Sequence, residues 1–500
     1  MFKSDFVEKN TKIFIIFIVT VFLIFAIGSS LTNRPQVDDA MFANAAYNLA
    51  EHGFFGTTML GKEITGELRI DQRTYWVMPL FLLQTSAFFK VLGFDIFSMR
   101  LVSVFWGLIL LWSFYQIGLK LSTKKEIAIL AMSFVGFDYL VLDTASGGRM
   151  DLMSASLSFL SLAIYLVIRE KNLMWAIFLS QLSVTLSGLT HPNGIIAFFA
   201  MIFVTLFLDY KKLKWKHIIV AITPYLIGGL AYGSYILQDF EDFRAQITAN
   251  AMMSGRMGGT SSPLTSFLRE FTEKYPHAFG LGMNSGGHSG PIYLKSLILL
   301  GYIIGFFSLI LIKPLRENRN YWILLVWVAI QFVIMSLLDG QKQTYYLIHV
   351  IPLYCACLAI FVYWLWEKSV LPKWIIILGC VGFFGLQLGG MALRIKQNTN
   401  GNFYKPVIAY LQDNTKNDET IMGGPELGFG LRYSDKLIGD PTMGMMSGKR
   451  AKFIVYDSAI EISWRESEKF NPEFYEYLPK LLKEYDVVYE NPAYKIYSRR

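Results

Sequence analysis

Long apolar runs alternate with short polar stretches along the first 390 residues of the chain. Each run holds about 17–22 residues, which is the length that an α-helix needs to cross the hydrocarbon core of a bilayer. The pattern therefore predicts an α-helical polytopic membrane protein. Its candidate spans are 12–31, 76–93, 98–119, 125–143, 152–168, 173–190, 193–209, 217–237, 291–312, 320–338, 345–366 and 373–392.

The basic residues decide how many of these twelve runs cross the membrane, because cytoplasmic loops are enriched in Lys and Arg. If run 76–93, with Pro79 and Lys90, lies along the surface, seventeen Lys and Arg fall in the inside segments. Only two, Arg149 and Lys342, then fall in the short outside turns. If the run crossed, this bias would reverse. We therefore predict about eleven spans in the cytoplasmic (inner) membrane, with the N-terminus in the cytoplasm and the C-terminus outside.

Three larger pieces face the outside in this arrangement: a first loop 32–97, a Gly/Ser/Met-rich loop 238–290, and the tail 394–500. Apolar alternation and turn residues in the tail predict a small α/β domain. The chain is thus divided into a transmembrane domain, 1–393, and an extracytoplasmic domain, 394–500. The elements predicted in the tail are helices at 405–412 and 478–485, strands at 419–424 and 452–456, and a hairpin of 486–489 with 494–497.

Composition supports the membrane class and excludes others. The 500 residues are 53% hydrophobic and only 17% charged, whereas a soluble protein carries about a quarter charged residues. The net charge of +8 comes largely from Lys and Arg beside the apolar runs, so we expect contact with anionic membrane lipids rather than nucleic acid. The three cysteines, Cys355, Cys357 and Cys380, lie inside apolar runs and are interpreted as packing residues.

The first outside loop opens with an acidic pair. Asp38 fits a helix N-cap, Asp39 the first turn, and Gly53 the position that ends a helix. The residues between them predict a short amphipathic helix on the membrane surface, with Asn44 and Asn48 on its polar face. The carboxylates are open to two interpretations, as helix caps or as a general base or divalent-metal site.

Two further outside turns carry ionisable residues. Arg149 and Asp151 stand at the outer edge of a span, where charges at membrane depth suggest function but a helix end beside water is the alternative. His191 lies in a tight turn, either as a ligand or proton carrier or as a simple turn residue.

The segment before the run 345–366 combines a cation with aromatic residues. Lys342, Tyr345, Tyr346 and His349 recur at helical spacing, which predicts one shared face just below the outer surface. A cation with hydroxyl donors at that depth suits a lipid phosphate. The alternative is ordinary interfacial anchoring by Tyr and Lys.

Taken in order, these features resemble the GT-C superfamily of membrane glycosyltransferases, nearest to its family 39 of aminoarabinose transferases and protein O-mannosyltransferases. The resemblance covers residues 12–390 and also implies the surface placement of 76–93. It is carried by Asp38-Asp39, Asn44 to Gly53, Pro79-Leu-Phe, Gly93-Phe-Asp-Ile-Phe-Ser-Met-Arg100, Arg149-Met-Asp151 and Lys342-Gln-Thr-Tyr345 with Pro352.

The resemblance implies transfer of a hexosyl or pentosyl sugar from a polyprenyl-phosphate carrier to a lipid, glycan or protein acceptor on the outer face, with inversion. It makes Asp38 the leading catalytic carboxylate, as a base or as a ligand to a divalent metal ion, with Asp39 and Asp151 as further acidic site residues. No other cofactor is implied. The expected substrate-binding residues are Arg73, Arg100, Arg149, His191, Lys342, Tyr345 and His349.

One position departs from the family, because Val77-Met78 stands where relatives often have a basic residue before the proline of the second surface helix. Arg73 is the nearest cation. Two other functions fit the same pattern, namely a transporter or flippase for a lipid-linked sugar and a ligase that moves whole glycans. Transporters place ionisable residues near the bilayer midplane, whereas here they cluster at one face, which favours an enzyme.

Overall fold

Long apolar helices dominate the fold, as seen in a computed structural model whose described residues are 4–60, 65–253, 255–256, 262–282 and 292–500. Parts of the predicted loop 238–290 lie outside these ranges. Within the ranges, nine helices are long and apolar enough to cross a membrane, which confirms the prediction of a multi-pass helical protein. They are Asn10–Thr32, Ile96–Ser122, Asp151–Ile168, Leu173–Thr190, Pro192–Lys212, Trp215–Ile236, Tyr293–Leu311, Arg319–Leu338 and Lys373–Asn414.

A further span is broken in two. The helices Lys125–Gly136 and Tyr139–Ala145 meet at 62°, where the sequence predicts a single run over 125–143. The side chain of Asp138 accepts a hydrogen bond from the backbone N–H of Val141 at 2.9 Å, so the second piece begins as a separately capped helix. With this pair counted as one span, the described residues hold ten helices long and apolar enough to cross a membrane. The shorter apolar helix Ile351–Glu367, with 17 residues, occupies the remaining predicted run.

The run 76–93 forms the helix Pro79–Leu92, with Pro79 in its first turn. Its 14 residues extend about 21 Å, which is less than the roughly 30 Å thickness of a hydrocarbon core. Phe81 and Phe89 bury this helix in one apolar cluster with the helix Val37–His52. Its length therefore fits the predicted surface position, while the orientation of the termini stays a prediction.

The helix Val37–His52, termed here the loop helix, differs from the predicted surface helix in two respects. Its N-cap is Gln36 rather than the predicted Asp38, because the helix already begins at Val37 and both aspartates lie in its first turn. Asn44 and Asn48, expected on a solvated polar face, are buried. The Asn44 carboxamide oxygen accepts from the backbone N–H groups of Thr58 at 2.6 Å and Met59 at 3.1 Å. The following chain thus covers the polar face and pairs the Asn44 oxygen, whereas Nδ2 of Asn44 is buried without a hydrogen-bond partner among the described residues. Gly53 ends the helix with a φ of 75°, as predicted from the preference of this position for glycine.

The tail forms a small α/β unit, as predicted, around a five-stranded sheet of which four strands were predicted. The strand Leu437–Ile438 and the helix Ser458–Phe470 were not predicted. The helix expected at 478–485 runs over Pro472–Leu482. In sheet order the strands are Leu437–Ile438, Ile421–Met422, Phe453–Asp457, Tyr494–Arg499 and Tyr485–Glu490, the first three parallel and the last two joined as an antiparallel hairpin.

The tail packs directly on the loop helix. The Tyr433 hydroxyl donates to the Ala40 carbonyl at 2.6 Å, and the rings of Phe94 and Phe429 stack with centroids 5.7 Å apart. The helix Lys373–Gln397 continues from the last span past the predicted division at 393/394, and that division stays a prediction. The loop helix is therefore held between the spans and the tail.

Candidate functional site

Arg149 lies at the centre of a cluster formed by three separate segments of the chain. Its Nε donates to Oδ2 of Asp151 at 2.9 Å, and its Nη1 forms an ion pair with Oδ2 of Asp38. Its Cζ stands 3.7 Å from the centre of the Tyr345 ring. The structure therefore brings together four of the residues that the sequence singles out.

The two carboxylates bound to Arg149 differ in access. The Asp38 side chain is 45% exposed, whereas that of Asp151 is fully buried. Burial would lower the pKa of Arg149, but the negative charges of Asp151 and Asp38 outweigh it and raise that pKa. The guanidinium is therefore a permanent cation between the carboxylates, and Asp38 is the one that a substrate can reach.

Asp39 faces away from Asp38 and is buried. Its Oδ2 accepts from Nη2 of Arg100 at 3.0 Å, and its Oδ1 accepts from the backbone N–H of Gly148 at 3.1 Å. Arg100 also donates to the carbonyls of Ser30 at 2.8 Å and Asn33 at 2.7 Å, with only 2% of its side chain exposed. This geometry is that of positioning residues, because it ties the end of the first span to the turn that carries Arg149.

His191 and His349 lie beside the cluster. The His191 ring centroid is 5.2 Å from that of Tyr346 and 6.4 Å from that of His349. Burial lowers the pKa of His191 to about 4 and that of His349 to about 3, so both rings are neutral at neutral pH. Nε2 of His349 is buried without a hydrogen-bond partner among the described residues. The histidines therefore offer neutral polar atoms rather than charge.

Lys342 does not share a face with Tyr345. The segment Thr344–His349 is a 3-10 helix, and Lys342 precedes it with a left-handed φ of 55°. Its Nζ donates to Oε1 of Glu270 at 2.9 Å and to the Ser336 carbonyl at 2.7 Å. The ammonium is thus enclosed by Glu270 and the Ser336 carbonyl, and its predicted contact with the carrier stays a prediction.

Arg73 belongs to a different neighbourhood. The Gln246 carboxamide donates to the Arg73 carbonyl at 2.9 Å and accepts from the Tyr75 N–H at 2.7 Å. A hydrogen bond with Tyr75 raises the pKa of the Arg73 guanidinium, and the charge of Asp239 adds to it. No described contact joins Arg73 to the cluster around Arg149.

Sequence reasoning missed the partners of Lys342. Glu270 and Lys274 stand four residues apart and are both buried, and Lys274 donates to Oδ2 of Asp339 at 2.8 Å. The helical spacing of Glu270 and Lys274 was the available signal, but their burial depends on the contact with the turn at 339–342. The pair Asp143 and Arg394 was also missed.

Asp38 was a candidate metal ligand, and the residues around it do not fit a divalent ion. The guanidinium of Arg149 already stands between the carboxylates of Asp38 and Asp151, while the carboxylate of Asp39 is bound to Arg100. In the ranges that the structure describes, no three His, Cys, Asp or Glu side chains form a group that could hold a metal ion.

No family model and no curated protein matches the chain, but solved structures do. ArnT from Cupriavidus metallidurans, bound to undecaprenyl phosphate, has 13% identity, a TM-score of 0.61, and coverage of 98% of this chain and 97% of that chain. The oligosaccharyltransferase AglB from Archaeoglobus fulgidus, in complex with an inhibitory peptide and a dolichol-phosphate, has 12% identity, a TM-score of 0.53, and coverage of 97% and 74%.

A second AglB structure, in complex with zinc and sulfate, is similar at 11% identity and a TM-score of 0.54, with coverage of 97% of this chain and 73% of that chain. At such identities the likeness concerns the fold, and it extends over nearly the whole chain, including the tail. ArnT and AglB both belong to the GT-C superfamily. The chain therefore shares the fold of ArnT and AglB over nearly its whole length.

Proposed function

We propose that the chain is a glycosyltransferase that moves a sugar from a polyprenyl-phosphate donor to a lipid, glycan or protein acceptor on the outer face of the cytoplasmic membrane. The observation that carries this proposal is the Asp38 carboxylate, which is reachable and held by Arg149 at the ends of the spans. The GT-C fold supports it, since the ArnT neighbour is bound to undecaprenyl phosphate.

The reaction assigned to Asp38 is general-base catalysis. Its carboxylate takes the proton from an acceptor hydroxyl, and the acceptor oxygen forms a bond to the anomeric carbon of the donor sugar. The bond from that carbon to the phosphate oxygen breaks on the opposite face, so that the configuration inverts and the carrier phosphate leaves as an anion. A positioned base contributes about 10²–10⁴-fold to the rate of such a step.

Arg149 acts on this step through Asp38. Its ion pairs with Asp38 and Asp151 orient the Asp38 carboxylate, because a guanidinium fork has a fixed donor geometry. The buried Asp151 balances the charge of Arg149, so that Asp38 does not have to do so alone. The guanidinium carbon lies 3.7 Å from the centre of the Tyr345 ring, so this ring adds a cation–π contact to the two ion pairs.

A glycan ligase is the second candidate, because an oligosaccharyltransferase shares the fold. Transfer of a radiolabelled monosaccharide from a polyprenyl-phosphate carrier distinguishes the two, since a ligase requires a preassembled glycan. A transporter is disfavoured, because the Arg149 cluster lies where spans begin and end rather than at mid-span, where transporters bind their substrates.

The test is mass spectrometry of envelope lipids, glycans and proteins from a deletion strain complemented with variants. Wild type should restore a modification that the deletion lacks, and Asp38→Asn should not. Glu51→Gln is the matched control, since Glu51 is an exposed carboxylate on the same helix. Full restoration by Asp38→Asn at equal expression would remove Asp38 from the mechanism, and an unchanged envelope in the deletion strain would contradict the proposed function.

A further inference from the structure

A large cavity lies beside the site, among the broken span, the last span and the start of the helix Ser296–Leu311. Its volume is about 1040 Å³. Gln36 and Thr344 are part of its wall. Gln36 is two positions before Asp38 in the sequence, and Thr344 directly precedes Tyr345. The cavity therefore borders the Arg149 cluster without containing it.

Cations line one part of this cavity. Arg394 forms an ion pair with Asp143, and both side chains remain accessible, at 25% and 42% exposed. Nζ of Lys295 stands 5.0 Å from the centre of the Tyr139 ring, and the charge of Asp143 acts on it without a salt bridge among the described residues. Ionisable side chains in membrane-spanning helices are costly, and they suggest a ligand by default.

A buried amide points to the same ligand chemistry. Gln387 lines the cavity with 1% of its surface exposed. Its carboxamide oxygen accepts from the backbone N–H of Tyr139 at 2.8 Å. The amide Nε2 is therefore the atom that is left to donate. That donor has no acceptor in the described part of the chain. A buried donor left unpaired destabilises the fold, so an acceptor atom of a ligand would remove that penalty.

Another part of the cavity wall is apolar and is formed by glycines and leucines of the last span. Gly385 and Gly389 are one helical turn apart on the last span, and a Cβ added at either would meet no atom within 4 Å. Leu386 and Leu393 continue this wall. The glycines therefore open space along a helix that faces the bilayer, and a hydrocarbon chain fits there.

We infer that this cavity binds a phosphate-bearing lipid, with its phosphate at Arg394 and Lys295, its ester oxygens toward Gln387, and its chain against Gly385 and Gly389. The Lys342 ammonium is enclosed by Glu270 and Ser336, whereas Arg394 and Lys295 line the cavity. The lipid is either the polyprenyl-phosphate carrier or an anionic glycerolipid. The inference deepens the proposed function, but binding is measurable without any transfer.

The test uses the full-length protein in detergent micelles, with undecaprenyl phosphate and phosphatidic acid as separate probes, read by native mass spectrometry. Arg394→Gln should weaken binding at least about tenfold, since a hydrogen bond to a charged group is worth about 1.5–3 kcal/mol. Lys373→Gln is the matched control, because this exposed lysine begins the same helix far from the cavity.

A second pair of variants distinguishes a filled cavity from a misfolded protein. Gly385→Leu should fill the cavity and weaken binding, whereas Gly379→Leu should not, although a Cβ at Gly379 also meets no atom within 4 Å. Loss of undecaprenyl phosphate alone would identify the carrier, and loss of phosphatidic acid alone would identify a glycerolipid. Unchanged binding of both lipids in Gly385→Leu and Arg394→Gln would overturn the inference, whether or not the wild type transfers sugar.

Discussion

The guanidinium of Arg149 lies 3.7 Å from the centre of the Tyr345 ring, and this contact joins two segments that are far apart in the sequence. The turn before Asp151–Ile168 supplies the cation, and the 3-10 helix Thr344–His349 supplies the ring. A cation over an aromatic face is attracted by the ring quadrupole, most strongly where water is excluded. The contact thus holds the cation that orients Asp38.

Replacement of Tyr345 tests this contact. A desolvated cation–π interaction is worth up to about 2 kcal/mol, so Tyr345→Ala should reduce sugar transfer by roughly tenfold or more. Tyr345→Phe keeps the ring and should retain most of the activity. The measurement is the initial rate of transfer at equal protein. Equal losses in the two variants would instead assign the role of Tyr345 to its hydroxyl.

Asp39 should matter for stability more than Asp38 does. Its carboxylate is buried against Arg100, and removal of one partner of a buried ion pair costs about 3–5 kcal/mol. Asp39→Asn should therefore lower the thermal unfolding midpoint of the purified protein, whereas Asp38→Asn should leave it nearly unchanged. A lower midpoint in Asp38→Asn than in Asp39→Asn would contradict the division of roles between these neighbours.

Lys342 should likewise contribute to the stability of the folded protein rather than to donor binding. Lys342→Ala leaves Glu270 without its closest cation and should lower the unfolding midpoint, while Lys342→Met combined with Glu270→Leu should recover part of it. In the recovered variant the KM for the polyprenyl-phosphate donor should equal that of wild type. A clearly raised donor KM would instead support the carrier contact that the sequence predicts for Lys342.

The two buried histidines predict how stability depends on pH. Their folded-state pKa values, about 4 for His191 and about 3 for His349, lie below the ordinary value of about 6.5. The unfolded chain therefore binds protons first as the pH falls, and stability should decrease as the pH falls from about 6.5 to about 3.

His349→Gln should flatten this dependence in unfolding experiments over that pH range. His52→Gln is the control, because His52 is exposed and should leave the slope unchanged. The same slope in wild type and His349→Gln would show that His349 is not held neutral by the fold.

The basic bias predicts that the tail is outside the cytoplasm. A reporter that is active only in the cytoplasm should be silent when fused after Arg500, and active when fused in the segment 210–217, which holds four lysines. The reverse pattern would move the Arg149 cluster to the cytoplasmic side and contradict the proposed place of the reaction.

The class of the protein and most of its helices follow from local properties of the sequence. Apolar runs of spanning length form helices because the bilayer leaves backbone groups no other partner. The loop helix ends at Gly53 because that residue adopts a φ of 75° without steric strain. The hairpin Tyr485–Glu490 with Tyr494–Arg499 was likewise predictable, since its strands are neighbours in the chain.

The tertiary structure alone decided which polar groups meet. Asp38 and Asp39 are adjacent in sequence, but successive positions on a helix point about 100° apart, so one faces Arg149 and the other is buried against Arg100. Lys342 turns to Glu270 because its left-handed backbone breaks the helical spacing that would align it with Tyr345. Spacing along the chain determines local structure, whereas burial and pairing depend on distant segments that the fold brings together.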